Sequence, residues 1–474
     1  MPRKFSRREM LRLTGLTGLG LLATACGAQP LAPASQPQVV EKIVEKEVVV
    51  KETVIVEVEK AGESPPALEA ALVWDTFRGP GTGWNEERIA TFQDIYPGVT
   101  IEFRPLTGAS QQDNYGKMYA SHAAGDLGDI VAFDPSHYHF WRAIDKEIIM
   151  PLDDLFATDN LDLSQWFDIF IELQYYKGKI YGLPSWGWAG FDSLVTNAVH
   201  FEEAGIELPD PTSHDTSMET IAEWAHQFRD EEAGRYGLAL SWSEAGVTVL
   251  CRAFGGFFLN EEGTQCMILE DEKAQNALKW AYDLAVTDKV LPFPDDLGGS
   301  FDAASLAGLL TMNWAGSLNV RNFKRDITDE TIAKASQILL PEREDGKFPS
   351  QLRGGTWNIR KGTEHPEAAY EFLKHITSTE GCFSFNLIAN QGALVRPDVV
   401  ELLIAKDPVH EWFLPNLRNG IPAHAPANSR GREYTDAIAQ WMSLLMDPNQ
   451  PVPFEQGLED LHANVQEVLD MPPA

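Results

Sequence analysis

From Ala70 onward, short apolar runs alternate with stretches of helical periodicity. Ala70-Ala71-Leu72-Val73-Trp74 predicts a buried strand, followed by the Gly/Pro loop Arg78 to Gly83. Trp84 to Tyr96 carries Ile89, Phe92 and Ile95 at helical spacing and is stopped by Pro97-Gly98. Val99 to Pro105 sets Val99, Ile101 and Phe103 on one face, the pattern of a strand. Tyr115 to Ala124 predicts a helix, and Gly128-Asp129 leads into a strand over Ile130 to Asp134. A second series opens with a strand over Tyr236 to Leu240, with helices predicted over 220–230, 272–287 and 364–377. Such alternation predicts an α/β fold of mainly parallel sheets flanked by helices. Ligands of those sheets bind in loops beyond the carboxyl ends of the strands, where Arg78, Trp84 and Asp134 fall.

The 474 residues are too many for one core, and the two αβ series suit two lobes. The formal charge of −32 argues against a nucleic-acid partner, since phosphate binding needs clustered Lys and Arg. After residue 25 no run of about 20 apolar residues offers a membrane span. Residues 1–25 read instead as a signal peptide. Within them Ser6-Arg7-Arg8-Glu9-Met10-Leu11 resembles a twin-arginine export signal. Leu22-Ala23-Thr24-Ala25-Cys26-Gly27 resembles a bacterial lipobox, which implies lipidation of Cys26 and an anchor on the outer face of the cytoplasmic membrane. Losing five bases and one acid with the leader takes the charge to −36, so the lipid rather than a basic patch would hold the chain at a membrane. Residues 26–66 form a linker, whose Val/Glu/Lys segment at 39–60 reads as a charged spacer. Of Cys251, Cys266 and Cys382, at most two can pair in a disulfide. No ligand cluster for a metal and no cofactor motif is present, and His122, His137 and His139 read as surface residues.

Several segments resemble the extracellular solute-binding proteins of bacterial ABC importers, the family 1 sugar-binding type. Tyr176-Lys177-Gly178-Lys179-Ile180-Tyr181-Gly182-Leu183-Pro184 is similar to the family's GKxYGLP strand, and Phe201-Glu202-Glu203-Ala204-Gly205-Ile206 to the helix end after it. Met312-Asn313-Trp314-Ala315-Gly316-Ser317 and Leu152-Asp153-Asp154-Leu155 follow the family pattern in order. The closest match runs from Gly354-Gly355-Thr356-Trp357 through His365-Pro366-Glu367-Ala368-Ala369 to Lys374. The resemblance implies a two-lobed periplasmic-binding-protein-like fold with the ligand cleft at a hinge. Mapped by those matches, lobe one covers 67–184 and 337–385, and lobe two covers 185–336 and 386–474. It further implies a monomeric, non-enzymatic capture protein that hands a sugar to a transmembrane permease driven by a separate ATPase subunit.

A sugar presents an apolar C–H face and a ring of hydroxyls, so its site wants aromatic platforms beside planar polar groups. Trp186 and Trp188, flanking Gly187 directly after the crossing motif, are the leading candidates among 13 tryptophans. Trp357 after Gly354 and Gly355 follows, then Trp314 and Trp242, Trp84 and Arg78 on the first loop, and Asp134. Arg430 is a candidate clamp for a diol or carboxylate. Rival readings are a solute-binding protein for a polyamine, iron or a peptide, and a secreted carbohydrate-active enzyme, which needs two carboxylates about 5–10 Å apart. No catalytic motif appears.

Overall fold

Apolar side chains at alternate positions drive β1 (Ala70–Thr76) into the interior, where Leu72 and Trp74 are buried. It pairs in parallel with β2 (Val99–Pro105) and, at Trp74, with β3 (Ile130–Val131). The computed structural model describes residues 68–473 apart from 136, 137, 390, 391 and 393. The segment expected to be a signal peptide, Cys26 and the Val/Glu/Lys segment therefore lie outside the described residues.

A hairpin of β4 (Tyr175–Tyr176) and β5 (Lys179–Ile180) turns at Lys177 and Gly178, both with positive φ, as a two-residue hairpin turn requires. It leads into β6 (Leu183–Gly190), which runs antiparallel to β11 (Phe348–Ile359). The far end of β11 pairs antiparallel with β3, and its near end runs parallel to β12 (Gly420–Pro422). These six strands make the first sheet. The second is ordered β10-β7-β9-β8, from β7 (Ser193–Asn197), β8 (Tyr236–Ala239), β9 (Leu310–Trp314) and β10 (Ala335–Leu339). In it β8 and β9 are parallel, and the other two pairs are antiparallel. The two-lobed α/β architecture is as expected, while strand direction is more mixed than the simple alternation implied.

Element boundaries shift for identifiable reasons. The helix expected from Tyr115 starts at Gln111, because Ser110 accepts the Asp113 amide and caps it. The helix over 272–287 is α-helical to Tyr282 and closes as a π turn over Asp283–Thr287. The strand expected over 130–134 pairs only at Ile130 and Val131.

Each sheet carries its own core. Trp74, Trp84, Trp186, Trp357, Phe372 and Phe385 belong to the first cluster. Phe201, Met312, Trp314, Tyr434 and Leu461 belong to the second. The stretch 386–417, expected with lobe two, packs into the first cluster through Leu394, Val395, Val399, Leu403 and Leu417. The chain returns to the second core only with the helices Gly431–Leu445 and Phe454–Asp470. It thus crosses between cores after β6, before β11 and after β12, and these three strands lie side by side. Arg252, buried at the end of the helix Glu244–Ala253, ties two of them together. Its guanidinium donates to the carbonyls of Ser350, Ile421 and Pro422.

Cys251, Cys266 and Cys382 are buried free thiols. Burial pushes the Cys266 and Cys382 thiols up to about 12. Among the described residues no helix is long and apolar enough to cross a membrane.

Candidate functional site

Beside the three crossing strands open two cavities that share Arg353. The first, of about 640 Å³, has an aromatic wall of Trp188, Phe191, Trp242, Phe293, Phe301 and Trp314. Ser241, Ser243, Asp302, Asn313, Asn319 and Arg353 supply its polar groups. Trp188 sits near the end of β6, and Trp242 on the loop after β8. Asn313 and Trp314 close β9. Two of these contributions stand at the carboxyl ends of parallel strands, where α/β sheets offer loops to a ligand. The wall is held in place. The Trp314 indole N–H donates to the Phe191 carbonyl at 2.6 Å, and Asn313 Nδ2 donates to Asp302 Oδ1 at 2.9 Å.

The second cavity, of about 460 Å³, is more polar and is lined by Gln112, Tyr138, Glu244, His424, Arg432 and Tyr434. Between the two, Arg353 donates through Nε to Gln351 Oε1 at 2.8 Å and through Nη2 to Glu244 Oε2 at 3.3 Å. Gln351 in turn donates to Glu244 Oε1 at 2.9 Å. Burial, helped by the charge of Arg252, pushes the His424 imidazole down to about 4, so the ring is neutral at pH 7. Planar polar groups beside flat rings suit a ligand with both hydroxyls and apolar faces.

Of the residues singled out from the sequence, Trp188, Trp242 and Trp314 line the first cavity. Trp186, Trp357 and Trp84 do not, and this corrects their expected place. All three are buried in the first core. Trp84 stacks on Trp357 with ring centres 6.3 Å apart, and Trp186 meets Trp357 edge-on at 5.2 Å. Strand alternation puts Trp186 and Trp188 on one face of β6, but the strand runs outward, so the first ring is enclosed and the second reaches the cavity. Gly355 lies under the Trp186 indole: a Cβ there would stand 1.7 Å from a ring atom. It makes room in the core and lines neither cavity.

Asp134 is buried and ion-paired with Arg78 at 2.6 Å, and it also accepts from Gln111 Nε2 at 3.1 Å. The Arg78 guanidinium lies 4.9 Å from the Trp186 ring centre and 4.7 Å from that of Phe77. Burial pushes the Asp134 carboxyl up, and Arg78 opposes that shift. The pair stands at the carboxyl ends of β1 and β3, outside the two cavities. Arg430 donates to the Pro472 carbonyl at 2.7 Å and to Glu433 at 3.1 Å, which fastens the C-terminus rather than opening onto either cavity. His139 is not a surface residue. It is packed between Tyr115 and Tyr138, and burial pushes it down to about 3. His137 lies outside the described residues.

Sequence reading missed Arg353, Glu244, Asp302, Asn313 and Asn319. Arg353 stands directly before Gly354-Gly355, and Glu244 follows Ser241-Trp242-Ser243 at a helix start; both signals were readable. Asp302 and Asn319 carried none, since polar residues on surface helices are common.

The sequence model of the family described as "Bacterial extracellular solute-binding protein" matches residues 74–381. Among solved structures, the chain is similar to the sugar-binding protein MalE from Xanthomonas citri, with a TM-score of 0.70 and 15% identity over 84% of this chain and 97% of that one. An ABC substrate-binding protein from Listeria monocytogenes, solved in complex with cycloalternan, has a TM-score of 0.68 and 16% identity over 85% and 99%. UgpB from Mycobacterium tuberculosis, solved with glycerophosphocholine, has a TM-score of 0.68 and 16% identity over 84% and 98%. At such identities the structural likeness speaks for the fold. The sequence match spans more than half of the chain, and it agrees with a two-lobed α/β body bearing cavities beside its crossing strands: this chain belongs to the bacterial extracellular solute-binding proteins.

Proposed function

We propose that the protein is the capture component of a bacterial ABC importer and binds a sugar, an oligosaccharide by the size of its cleft, between two closing lobes. The observation that carries this is the first cavity, where Trp188, Trp242 and Trp314 face Asn313, Asn319, Asp302 and Arg353 across about 640 Å³. Three tryptophans offer platforms for sugar rings, and the amide, carboxylate and guanidinium groups match hydroxyl pairs. Fold neighbours solved with cycloalternan and with maltotetraose support the reading. Trp186, Trp357 and Trp84 then serve as the packed floor behind Trp188, with Arg78 and Asp134 bracing the Trp186 ring.

In this reading lobe one comprises 68–184 and 348–422, and lobe two 191–347 and 423–473, with β6 as part of the hinge. The protein works as a monomer without catalysis, anchored through lipidated Cys26 after twin-arginine export, and delivers its ligand to a permease with a separate ATPase. Calorimetric titration of the mature protein with mono- to tetrasaccharides, polyamines, ferric iron, short peptides and glycerophosphocholine tests it. Binding of one sugar class, weakened in Trp188→Ala and Trp242→Ala and yielding no hydrolysis product, is the expected result. Binding of a polyamine, iron, a peptide or glycerophosphocholine and of no sugar would sink it.

A further inference from the structure

Helix amino ends attract anions, because their N–H groups lack partners and the peptide dipoles point positive there. Of the α-helix amino ends that border the two cavities, five are met by a carboxylate of this chain, while the helix Tyr138–Asp145, whose Tyr138 lines the second cavity, has no acid in its first turn. The helix Gln111–Ala124 carries Asp113 in its first turn, Glu244–Ala253 carries Glu244, and Gly431–Leu445 carries Glu433. The short helix Phe301–Leu306 carries Asp302. The helix Ser317–Asp326 has no acid in its first turn, and buried Asp192 stands beside it instead. Its Oδ1 lies 3.1 Å from where a Cβ on Gly316 would be. Ser110, Ser243 and Ser300 also accept an amide N–H at three of these ends.

The lining side chains repeat the pattern. Among the described lining residues Asp113, Glu244, Asp302 and Asp436 face two guanidiniums, Arg353 and Arg432. Arg432 is paired with Asp436 at 3.5 Å, and Arg353 with Glu244 at 3.3 Å. Glu244 is thus placed twice over: it neutralises a helix end and holds the one guanidinium common to both cavities. Among the described residues no hydrogen bond within the protein engages Nη1 of Arg353.

We propose that Glu244 sets the charge selectivity of the cleft: with Glu244 in place, Arg353 serves hydroxyl groups, and the site takes uncharged polyhydroxylated ligands while rejecting carboxylated or phosphorylated ones. The inference rests on the reading of the cleft as a sugar site. An anionic ligand at Arg353 would stand beside Glu244 inside a cleft with an excess of carboxylates, and the Coulomb cost falls on binding.

The test titrates mature native protein and Glu244→Gln with neutral gluco-, galacto- and manno-oligosaccharides and with galacturonic and mannuronic acid oligomers of the same lengths. Native protein is expected to bind a neutral member and to bind acidic ones at least a hundredfold more weakly. Glu244→Gln is expected to narrow that gap about tenfold, the scale of one charge-assisted hydrogen bond, and added NaCl to narrow it in the native protein by screening the carboxylates. Native binding of an acidic oligomer within threefold of a neutral one overturns this inference alone. An unchanged ratio in Glu244→Gln does the same. Should that variant fail to fold, Arg353→Gln leaves the Glu244 charge uncompensated in the cleft and is expected to widen the gap, and an unchanged ratio there overturns the inference equally. Failure of every sugar, neutral and acidic, overturns it together with the sugar reading.

Discussion

Two tryptophans one strand step apart, Trp186 and Trp188, have opposite tasks, and this is measurable. Trp186→Ala empties a core site and is expected to lower stability by about 3–5 kcal/mol in urea denaturation. Trp188→Ala, on the cavity wall, is expected to leave the unfolding midpoint nearly unmoved and to weaken sugar binding tenfold or more by calorimetry. Equal loss of stability in both would contradict the division. Histidine burial adds a pH dependence. His200, His375 and His424 are each pushed down to about 4, first by desolvation and then by a neighbouring arginine. The unfolded chain therefore binds more protons than the native one between pH 6.5 and 4. Their contribution to stability is complete above pH 6.5 and is lost as pH falls toward 4. Denaturation at pH 7.5 and at 4.5 checks this, with the lower midpoint expected at 4.5.

At the scale of elements, β11 does the most work: it meets β3, β6 and β12 and carries Arg353 between the cavities. Arg252 pins β11 to β12 through three carbonyls, with no carboxylate in an ion pair to it among the described residues. Arg252→Met leaves those carbonyls without their donors and is expected to cost about 2–4 kcal/mol. Hydrogen exchange should rise most at residues 348–352 and 420–422. A uniform rise across both cores would count against a local pin. Much of this was legible in the chain. The periodicity of Ile89, Phe92 and Ile95 located a helix to within a residue, and the GKxYGLP stretch coincides with the start of β6. Trp242, named from the sequence as a candidate platform, lines the first cavity. What stayed hidden was depth. Nothing in Ser185-Trp186-Gly187-Trp188 records that the strand leaves the core between its two rings. Arg353 was marked only by its place before Gly354-Gly355, which does not say whether the arginine faces solvent or a partner such as Glu244. The packing of 386–417 on the first core was also invisible locally, because apolar helices fit either lobe.

For the whole molecule, the formal charge of −32 makes self-repulsion a general cost. Raising NaCl from about 20 to 300 mM shortens the Debye length several-fold, and the melting midpoint is expected to rise with it. A midpoint that falls would mean that the surface ion pairs, rather than the excess acid, dominate. Two cores joined by three adjacent strands leave a single line about which the lobes can turn, so a saturating ligand is expected to reduce the radius of gyration in solution scattering. The same three strands bear on the order in which the chain is made. On the ribosome, every strand of the second sheet emerges before β11, the strand that joins β3, β6 and β12. The first sheet thus waits, half built and with β1 to β3 already released, for a strand from the far side of its neighbour. The second core waits longer still, for the C-terminal helices. Neither lobe can finish as a beginner's domain at the amino end, so a nascent chain stopped anywhere short of Asp470 leaves apolar surface for a chaperone to cover.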